Sequence, residues 1–165
     1  MGVLSGKRGL IMGVANERSI AWGIAKACAE AGAELAFTYQ GEAFGKRLEP
    51  LAASVGSDFM VDVDVTDDAS LDTAFGELQA RWGTLDFVVH AIAYSDKNEL
   101  TGRILNTSRD NFKNSMDISA YSFIEVARRA HPMMEENGGF IKEMGKDPLV
   151  GYEARNVSVL RPYGV

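Results

Sequence analysis

A short apolar stretch, a glycine turn and a helix constrain this chain more than any other feature. Residues 9–12 are typical of a buried strand, and Gly13 lets the backbone turn sharply without a side chain in the way. Ser19 is a good residue for the start of a helix, and Gly32 is a good residue for its end. The apolar residues at helical spacing are Ile20, Ile24, Ala27 and Ala31. Because unpaired backbone N–H groups and the helix dipole face one point, this arrangement predicts an anion site.

The glycine spacing departs from the common dinucleotide fingerprint G-x-G-x-x-G. Ala15 stands where the second glycine would fall, and Gly23 is the next glycine after Gly13. Spacing alone therefore leaves two interpretations open. The glycines belong to a nucleotide-phosphate site, or they merely permit a tight turn and close helix packing.

The following residues alternate strands and helices. Further strands are predicted over 34–39, 58–65 and 85–93, with a fifth in 140–144. Further helices are predicted over about 42–55, 66–82 and 110–135. The most continuously apolar strand, 85–93, is expected at the centre of the sheet, and 58–65 near its edge. The pattern predicts an α/β fold, a Rossmann-like doubly wound parallel sheet with its ligand crevice beyond the carboxyl ends of the strands.

The helical spacing also predicts which side chains face the core. In the second helix they are Phe44, Leu48, Leu51 and Val55. In the third helix they are Leu71, Phe75, Leu78 and Trp82. In the last helix they are Phe112, Met116, Ser119, Phe123, Val126 and Ala130.

Composition excludes several functional classes. The net charge of −6 disfavours a nucleic-acid partner, and no apolar run is long enough to cross a membrane. The start of the chain lacks a signal-peptide pattern, so a cytosolic location is expected. One cysteine, Cys28, allows no internal disulfide and is expected to pack against the core. With only two histidines besides it, no metal site is expected.

Several separated blocks of sequence closely resemble the bacterial NADH-dependent enoyl-acyl carrier protein reductases, a branch of the short-chain dehydrogenases. The blocks are 13–23 (GVANERSIAWG), 37–40 (FTYQ), 64–65 (DV), 90–94 (HAIAY) and 118–122 (ISAYS). The resemblance covers about residues 2–139. It implies an NADH-binding domain over 1–139, with an enoyl thioester on acyl carrier protein as the family's substrate.

The resemblance also implies which residues bind the cofactor and the substrate. The implied cofactor-binding residues are Gly13, Ser19, Ile20, Gln40, Asp64, Val65 and Ile92. Gln40 would lie beside the adenosine half, Asp64 and the Val65 N–H would recognise the adenine edge, and Ser95 would border the thioester. Lacking an adjacent cation, the Gln40 position favours NADH over NADPH.

Several of the implied site residues also have a simpler interpretation. Gln40 could be a solvent-facing turn residue, Asp64 a helix cap, and the small residues 91–93 a packing feature.

Three polar residues outside this set have structural explanations of their own. His90 is expected to be a hydrogen-bonded core residue and His131 to lie on an exposed helix end. Ser119 lies near an active-site polar group of related dehydrogenases, but a helical serine can simply bond the carbonyl of Ser115.

The segment 140–165 departs from the family. The resemblance implies a Tyr followed seven residues later by a Lys, which would stabilise the enolate oxygen and hold the nicotinamide ribose. No tyrosine of this segment has a lysine four or seven residues downstream, so no catalytic residue is assigned. Beyond its fifth strand the segment is expected to be irregular, and the sheet is expected to be incomplete on its C-terminal side.

Three functional hypotheses remain open. The chain is a truncated, NADH-binding part of a reductase that cannot reduce, or a reductase that uses Lys146 or Tyr152, or a non-catalytic module that self-associates to a homo-oligomer through uncovered apolar surface.

Overall fold

The computed structural model describes residues 2–135, 138, 140–143 and 153–155, the last two segments by their backbone only. The predicted domain boundary after residue 139 stays a prediction. Lys146, Tyr152 and Tyr163 lie outside the described residues.

One twisted sheet organises the described chain. Its strands are β1 (Arg8–Met12), β2 (Glu34–Tyr39), β3 (Met60–Asp62), β4 (Phe87–His90), β5 (Phe140–Glu143) and β6 (Glu153–Arg155). Their order is β3-β2-β1-β4-β5-β6; β1 to β5 are parallel, and β6 is antiparallel to β5. The chain builds outward from β1 to β3 and then crosses to β4 on the other side of β1. The predicted Rossmann-like doubly wound sheet is confirmed.

Helices cover both faces of the sheet. They are α1 (Ile20–Glu30), α2 (Glu42–Ser54), α3 (Asp68–Trp82), α4 (Arg109–Met116) and α5 (Ser122–Met134), with a 3-10 turn at Ile104–Asn106 and a π-helical turn at Asp117–Tyr121. Side chains of α1 and α2 pack with Ile11 and Phe37 on one face. Side chains of α3 and α5 pack with Leu10 and Met12 on the other. The period-two alternation of β1 thus supplies both cores. Within the described residues, no helix is long and apolar enough to span a membrane.

Local sequence explains how α3 begins and ends. The Asp67 carboxylate accepts the Ala69 N–H at 2.9 Å, and Gly83 closes the helix at φ 72°. The predicted inward stripe is confirmed, because all four of its side chains are buried. The expected positions of β3 at the edge and β4 in the interior of the sheet are also confirmed.

Three of the predicted apolar faces are only partly correct. In α1 the buried side chains are Ala21, Trp22 and Ala25, whereas Ile20 is 57% exposed, because Trp22 turns its ring toward Phe37 in the core. In α2 Phe44 is 42% exposed, whereas Leu48 is buried as predicted. In the last helical stretch Phe112 and Met116 are exposed, whereas Val126 and Ala130 are buried as predicted. The π-helical turn adds a residue between α4 and α5, so the buried face of α5 does not continue along α4.

Of the two outer strands, the sequence predicts β5 but not β6. β5 lies within the segment where a fifth strand was expected. β6 lies where irregular chain was expected, and it forms by antiparallel pairing with β5.

Candidate nucleotide-binding site

Six of the predicted site residues follow strand ends at one edge of the sheet, and Ser19 and Ile20 begin the helix after β1. Gly13 follows β1, Gln40 follows β2, and Ile92 lies two residues after β4. Asp64 and Val65 follow β3, and Ser95 lies in the connection after β4. Because these four strands are parallel and adjacent, their carboxyl ends form one edge at which the chain crosses from one half of the sheet to the other.

Gly13 lies at the crossover point, where the first turn passes over the end of β4. Its φ is 92°, and a Cβ there would lie 2.0 Å from the carbonyl oxygen of Ala91. The Ala91 N–H in turn donates to the Met12 carbonyl at 3.1 Å. Gly23 differs, because a Cβ at that position meets nothing within 4 Å. Close helix packing therefore does not explain Gly23.

The start of α1 is not capped by a side chain. The Ser19 hydroxyl donates to the Asn16 carbonyl at 2.6 Å instead of accepting an N–H of the first helical turn. A bound anion can accept those N–H groups, which the helix dipole makes favourable. Ile20 stands beside them as an exposed apolar surface.

Asp64 is an oriented, ionised acceptor. Its Oδ1 accepts the Thr66 hydroxyl at 2.7 Å and the Thr66 N–H at 2.9 Å. Hydrogen bonds from the Thr66 hydroxyl and backbone, with a weaker one from the Gln40 side chain, lower the pKa of Asp64. Gln40 is thus an exposed residue that contacts Asp64, and not only a solvent-facing turn residue. The helix-cap interpretation of Asp64 is wrong, since Asp67 caps α3.

A polar network that the sequence did not reveal holds the connection after β4. Asn111 of α4 accepts the Asp96 N–H at 2.9 Å, and its amide donates to the Ser95 hydroxyl at 3.1 Å and to Glu99 at 3.2 Å. Glu99 accepts the N–H and hydroxyl of Ser108, both at 2.8 Å, and these bonds lower its pKa. The helix-start signal at Ser108, followed three residues later by Asn111, is the one sequence sign of this network.

The π-helical turn and α5 hold β4 and the residues after it. The Ser119 hydroxyl accepts the Tyr94 N–H at 3.0 Å, so the expected bond to the Ser115 carbonyl is wrong. His90 is fully buried and its Nε2 lies 2.8 Å from the Ser122 hydroxyl, which confirms its core role. Its Nδ1 has no hydrogen-bond partner, and burial lowers the pKa of His90 to about 4.

These groups form a set suited to a nucleotide. The site offers free helix-end N–H donors, an ionised carboxylate with an amide beside it, and small or apolar surface at Gly13, Ile20 and Ile92. Within the described residues, no group of three or more His, Cys, Asp or Glu residues could hold a metal ion.

Three comparisons relate the chain to known proteins. A family profile described as "Enoyl-(Acyl carrier protein) reductase" matches residues 13–144. The enoyl-[acyl-carrier-protein] reductase [NADH] 1 of Rhizobium meliloti is 61% identical over 140 residues, which are 85% of this chain and 52% of that protein.

Two solved structures share the fold. The enoyl-(acyl-carrier-protein) reductase of Anaplasma phagocytophilum in complex with NAD matches with a TM-score of 0.82 and 53% identity, covering 86% of this chain and 54% of that one. The Bacillus cereus reductase with NADP+ and indole naphthyridinone matches with a TM-score of 0.82 and 41% identity, covering 87% and 56%. The chain thus spans about half the length of the relatives it matches.

Proposed function

This chain belongs to the enoyl-(acyl carrier protein) reductase family, and from that premise we propose that it is the NADH-binding part of such a reductase, unable to reduce enoyl thioesters alone. The observation that carries the proposal is that Gly13, Gln40, Asp64, Val65 and Ile92 follow four adjacent parallel strands at their carboxyl ends, with Ser19 and Ile20 at the start of the helix after β1.

Each group has a part in holding the cofactor. Gly13 and the N–H groups that follow Ser19 would receive the pyrophosphate, with Ile20 as an apolar wall. Gln40 and Asp64 would face the adenosine half. There the Asp64 carboxylate would accept a hydrogen bond from the adenine edge, and the Val65 N–H would donate one to it. The backbone at Ile92 would run beside the nicotinamide half.

The fit is supported by the shape of the turn after β1. A side chain at Gly13 would collide with the β4 backbone, and the first turn of α1 keeps donors that no side chain accepts. Bound NADH would supply a hydride to the β-carbon of a conjugated thioester. Because residues 140–165 contain no Tyr and Lys at the family's spacing, we propose that no group of this chain stabilises the resulting enolate oxygen.

The proposal extends to partner and location. The substrate of the complete reductase would be an enoyl thioester on acyl carrier protein, and Ser95 would lie beside the thioester group. The cytosolic location expected from the sequence forms part of this proposal.

Calorimetric titration with NADH tests the proposal. We expect weak binding by the unmodified chain and about tenfold weaker binding by Asp64→Asn, which loses a charged acceptor. Asp58→Asn is the matched control, because Asp58 precedes β3 at its opposite end and pairs with Arg81. A sample that is folded by circular dichroism and binds no NADH would rule the proposal out.

Self-association is the second candidate function, and exposed apolar surface favours it. Several large apolar side chains between residues 100 and 124 are at least 48% exposed, namely Leu100, Ile104, Leu105, Phe112, Met116, Tyr121 and Ile124. Sedimentation velocity over a hundredfold concentration range tests this candidate. Association that Ile104→Ser with Leu105→Ser abolishes would support it, and a monomer at every concentration would reject it.

A further inference from the structure

Arg129 of α5 connects two helices through a nearly buried guanidinium group. Its Nη1 donates to Glu125 Oε2 at 2.7 Å on its own helix, and its Nε donates to Asp72 Oδ1 of α3 at 2.6 Å. Its Nη2 donates to Asp68 Oδ1 at 3.3 Å. The side chains of Arg129 and Glu125 are 15% and 8% exposed, so solvent screens their interaction less than that of a surface pair.

The part of α3 that Arg129 holds is the part that orients Asp64. Asp68 begins α3, and Ser70 of the same turn accepts the backbone N–H of Asp64 at 2.9 Å. The Asp67 N–H donates to the Asp64 carbonyl at 3.1 Å. A displacement of the first turn of α3 would therefore move both the backbone and the carboxylate of Asp64.

We propose that Arg129 is a positioning residue for adenine recognition, fixing Asp64 through the first turn of α3. The inference rests on the proposed function, because it takes Asp64 to accept a hydrogen bond from the 6-amino group of adenine. Thr66 occupies Oδ1 of Asp64, so the amino group would be accepted by Oδ2, whose direction depends on where the turn lies.

The adjacent Arg128 is the control that distinguishes positioning of Asp64 from general stabilisation of the fold. It pairs with the same Glu125 carboxylate, at Oε1, but it is 62% exposed and its described contacts do not reach α3. Arg128→Met and Arg129→Met therefore remove the same kind of ion pair from the same partner, and only the second releases α3.

The test compares NADH with an analogue in which unsubstituted purine replaces adenine, so that the 6-amino donor is lost while the N1 acceptor is kept. We expect the unmodified chain to bind NADH about tenfold more tightly than the analogue, the effect of one hydrogen bond to a charged acceptor. In Arg129→Met the ratio of the two Kd values should fall to about one, and the Kd of the analogue should stay unchanged. Arg128→Met should keep the tenfold ratio. A merely structural role would change both affinities together and leave the ratio as it was.

A second pair of substitutions guards against misfolding of Arg129→Met. Asp68→Ala combined with Asp72→Ala removes the side-chain contacts of Arg129 with α3 from exposed positions on that helix and should likewise lower the ratio. A ratio that stays near tenfold in this double variant, or in folded Arg129→Met, overturns the inference. If the unmodified chain binds no NADH, the proposed function is wrong. If it binds NADH and the analogue equally well, NADH binding stands, but the role of Asp64 and this inference are wrong.

Discussion

At the scale of single residues, Gly13 shows how the backbone of one strand limits the side chain of another. Its positive φ disfavours any residue with a Cβ, and the carbonyl of Ala91 occupies the space that a Cβ would need. Both restrictions come from the close passage of the β1 turn over the end of β4. A fixed backbone at this point is also what a closely approaching pyrophosphate requires.

Alanine substitution at Gly13 and at Gly23 should change the free energy of unfolding in opposite directions. Gly13→Ala combines left-handed strain with a backbone collision and should lower the free energy of unfolding by about 3 kcal/mol or more. Gly23→Ala fills open space on an exposed part of α1 and should raise it by about 0.5–1 kcal/mol. Urea denaturation measures both values. Equal effects of the two substitutions would contradict the assigned geometry.

His90 makes stability depend on pH through burial. Its pKa is about 4 in the folded chain, below the ordinary value of 6.5, because burial penalises the imidazolium. As pH falls below 6.5, the unfolded chain binds a proton that the folded chain does not. The contribution of neutral His90 is therefore complete above pH 6.5 and is progressively lost as the pH falls to about 4.

Between pH 7 and pH 5 this proton uptake should lower the free energy of unfolding by about 2 kcal/mol. His90→Gln should remove that part of the pH dependence, whereas His131→Gln, near the end of α5, should retain it. Urea denaturation at the two pH values gives the comparison. A His90→Gln profile parallel to that of the unmodified chain would show that His90 does not titrate in this way.

At the scale of elements, we propose that the β2–α2 connection sets the preference between NADH and NADPH, because it would lie beside the 2′ position of the adenosine ribose. Gln40 follows β2, and the nearest cations of α2 are already engaged: Lys46 pairs with Glu42 at 2.5 Å, and Arg47 lies over the ring of Phe44. A 2′-phosphate would have to compete for them. The Bacillus cereus relative, by contrast, has a structure with NADP+.

We expect this chain to bind NADH more tightly than NADPH. Glu42→Gln should narrow the difference by strengthening NADPH binding, because it releases Lys46 from its partner. Glu49→Gln, farther along the same helix, is the control for the change in net charge. Titrations with both cofactors measure the preference, and tighter NADPH binding by the unmodified chain would refute it.

The connection after β4 depends on α4 for its order. Asn111 holds Ser95, Asp96 and Glu99 through its side chain, although α4 buries no residue of its own. A helix with no fully buried residue thus helps to keep a loop in place through side-chain hydrogen bonds, each of which contributes about 1 kcal/mol.

Asn111→Ala should loosen this connection without unfolding the sheet. Hydrogen exchange at the Asp96 amide should accelerate by about tenfold or more, because its acceptor is gone, while exchange in β1 stays the same. Asn114→Ala, on the exposed surface of the same helix, should leave the Asp96 amide protected. Unchanged exchange in Asn111→Ala would mean that the loop is held by other contacts.

At the scale of the whole molecule, we expect cofactor binding and reduction chemistry to depend on different parts of the chain. The described sheet brings together the cofactor-binding candidates, whereas the groups that would have to stabilise an enolate are sought in residues 140–165. Lys146, Tyr152 and Tyr163 are the candidates there, and none has the spacing that places a phenol and an ammonium on one helix face.

We expect no reduction of crotonyl thioester above background by this chain. Without a placed donor, the barrier to hydride transfer rises by roughly 3–4 kcal/mol, which slows the reaction on the order of 10²- to 10³-fold. Loss of NADH absorbance in the presence of the thioester is the measurement. Thioester-dependent oxidation that disappears in Tyr152→Phe would overturn this prediction and establish a reductase with a different donor.

Local patterns in the sequence determined the type and order of the elements. The apolar spacing predicted the stripe of α3, Gly32 predicted where α1 ends, and the alternation of strands and helices predicted the doubly wound sheet. These features arise within a few residues, so a linear pattern contains them. The same reasoning placed Gly13, Gln40 and Asp64 at strand ends, which parallel topology necessarily brings to one edge.

Only the tertiary structure decided which faces are buried and which polar residues cooperate. Ile20 is exposed and Trp22 is buried because the sheet beneath α1 selects one of two apolar stripes, and a π-helical turn separates the faces of α4 and α5. Arg129 meets Asp68 across 61 positions of sequence. No pattern in a linear chain marks such a pair, because the contact exists only after both helices have packed on the same face of the sheet.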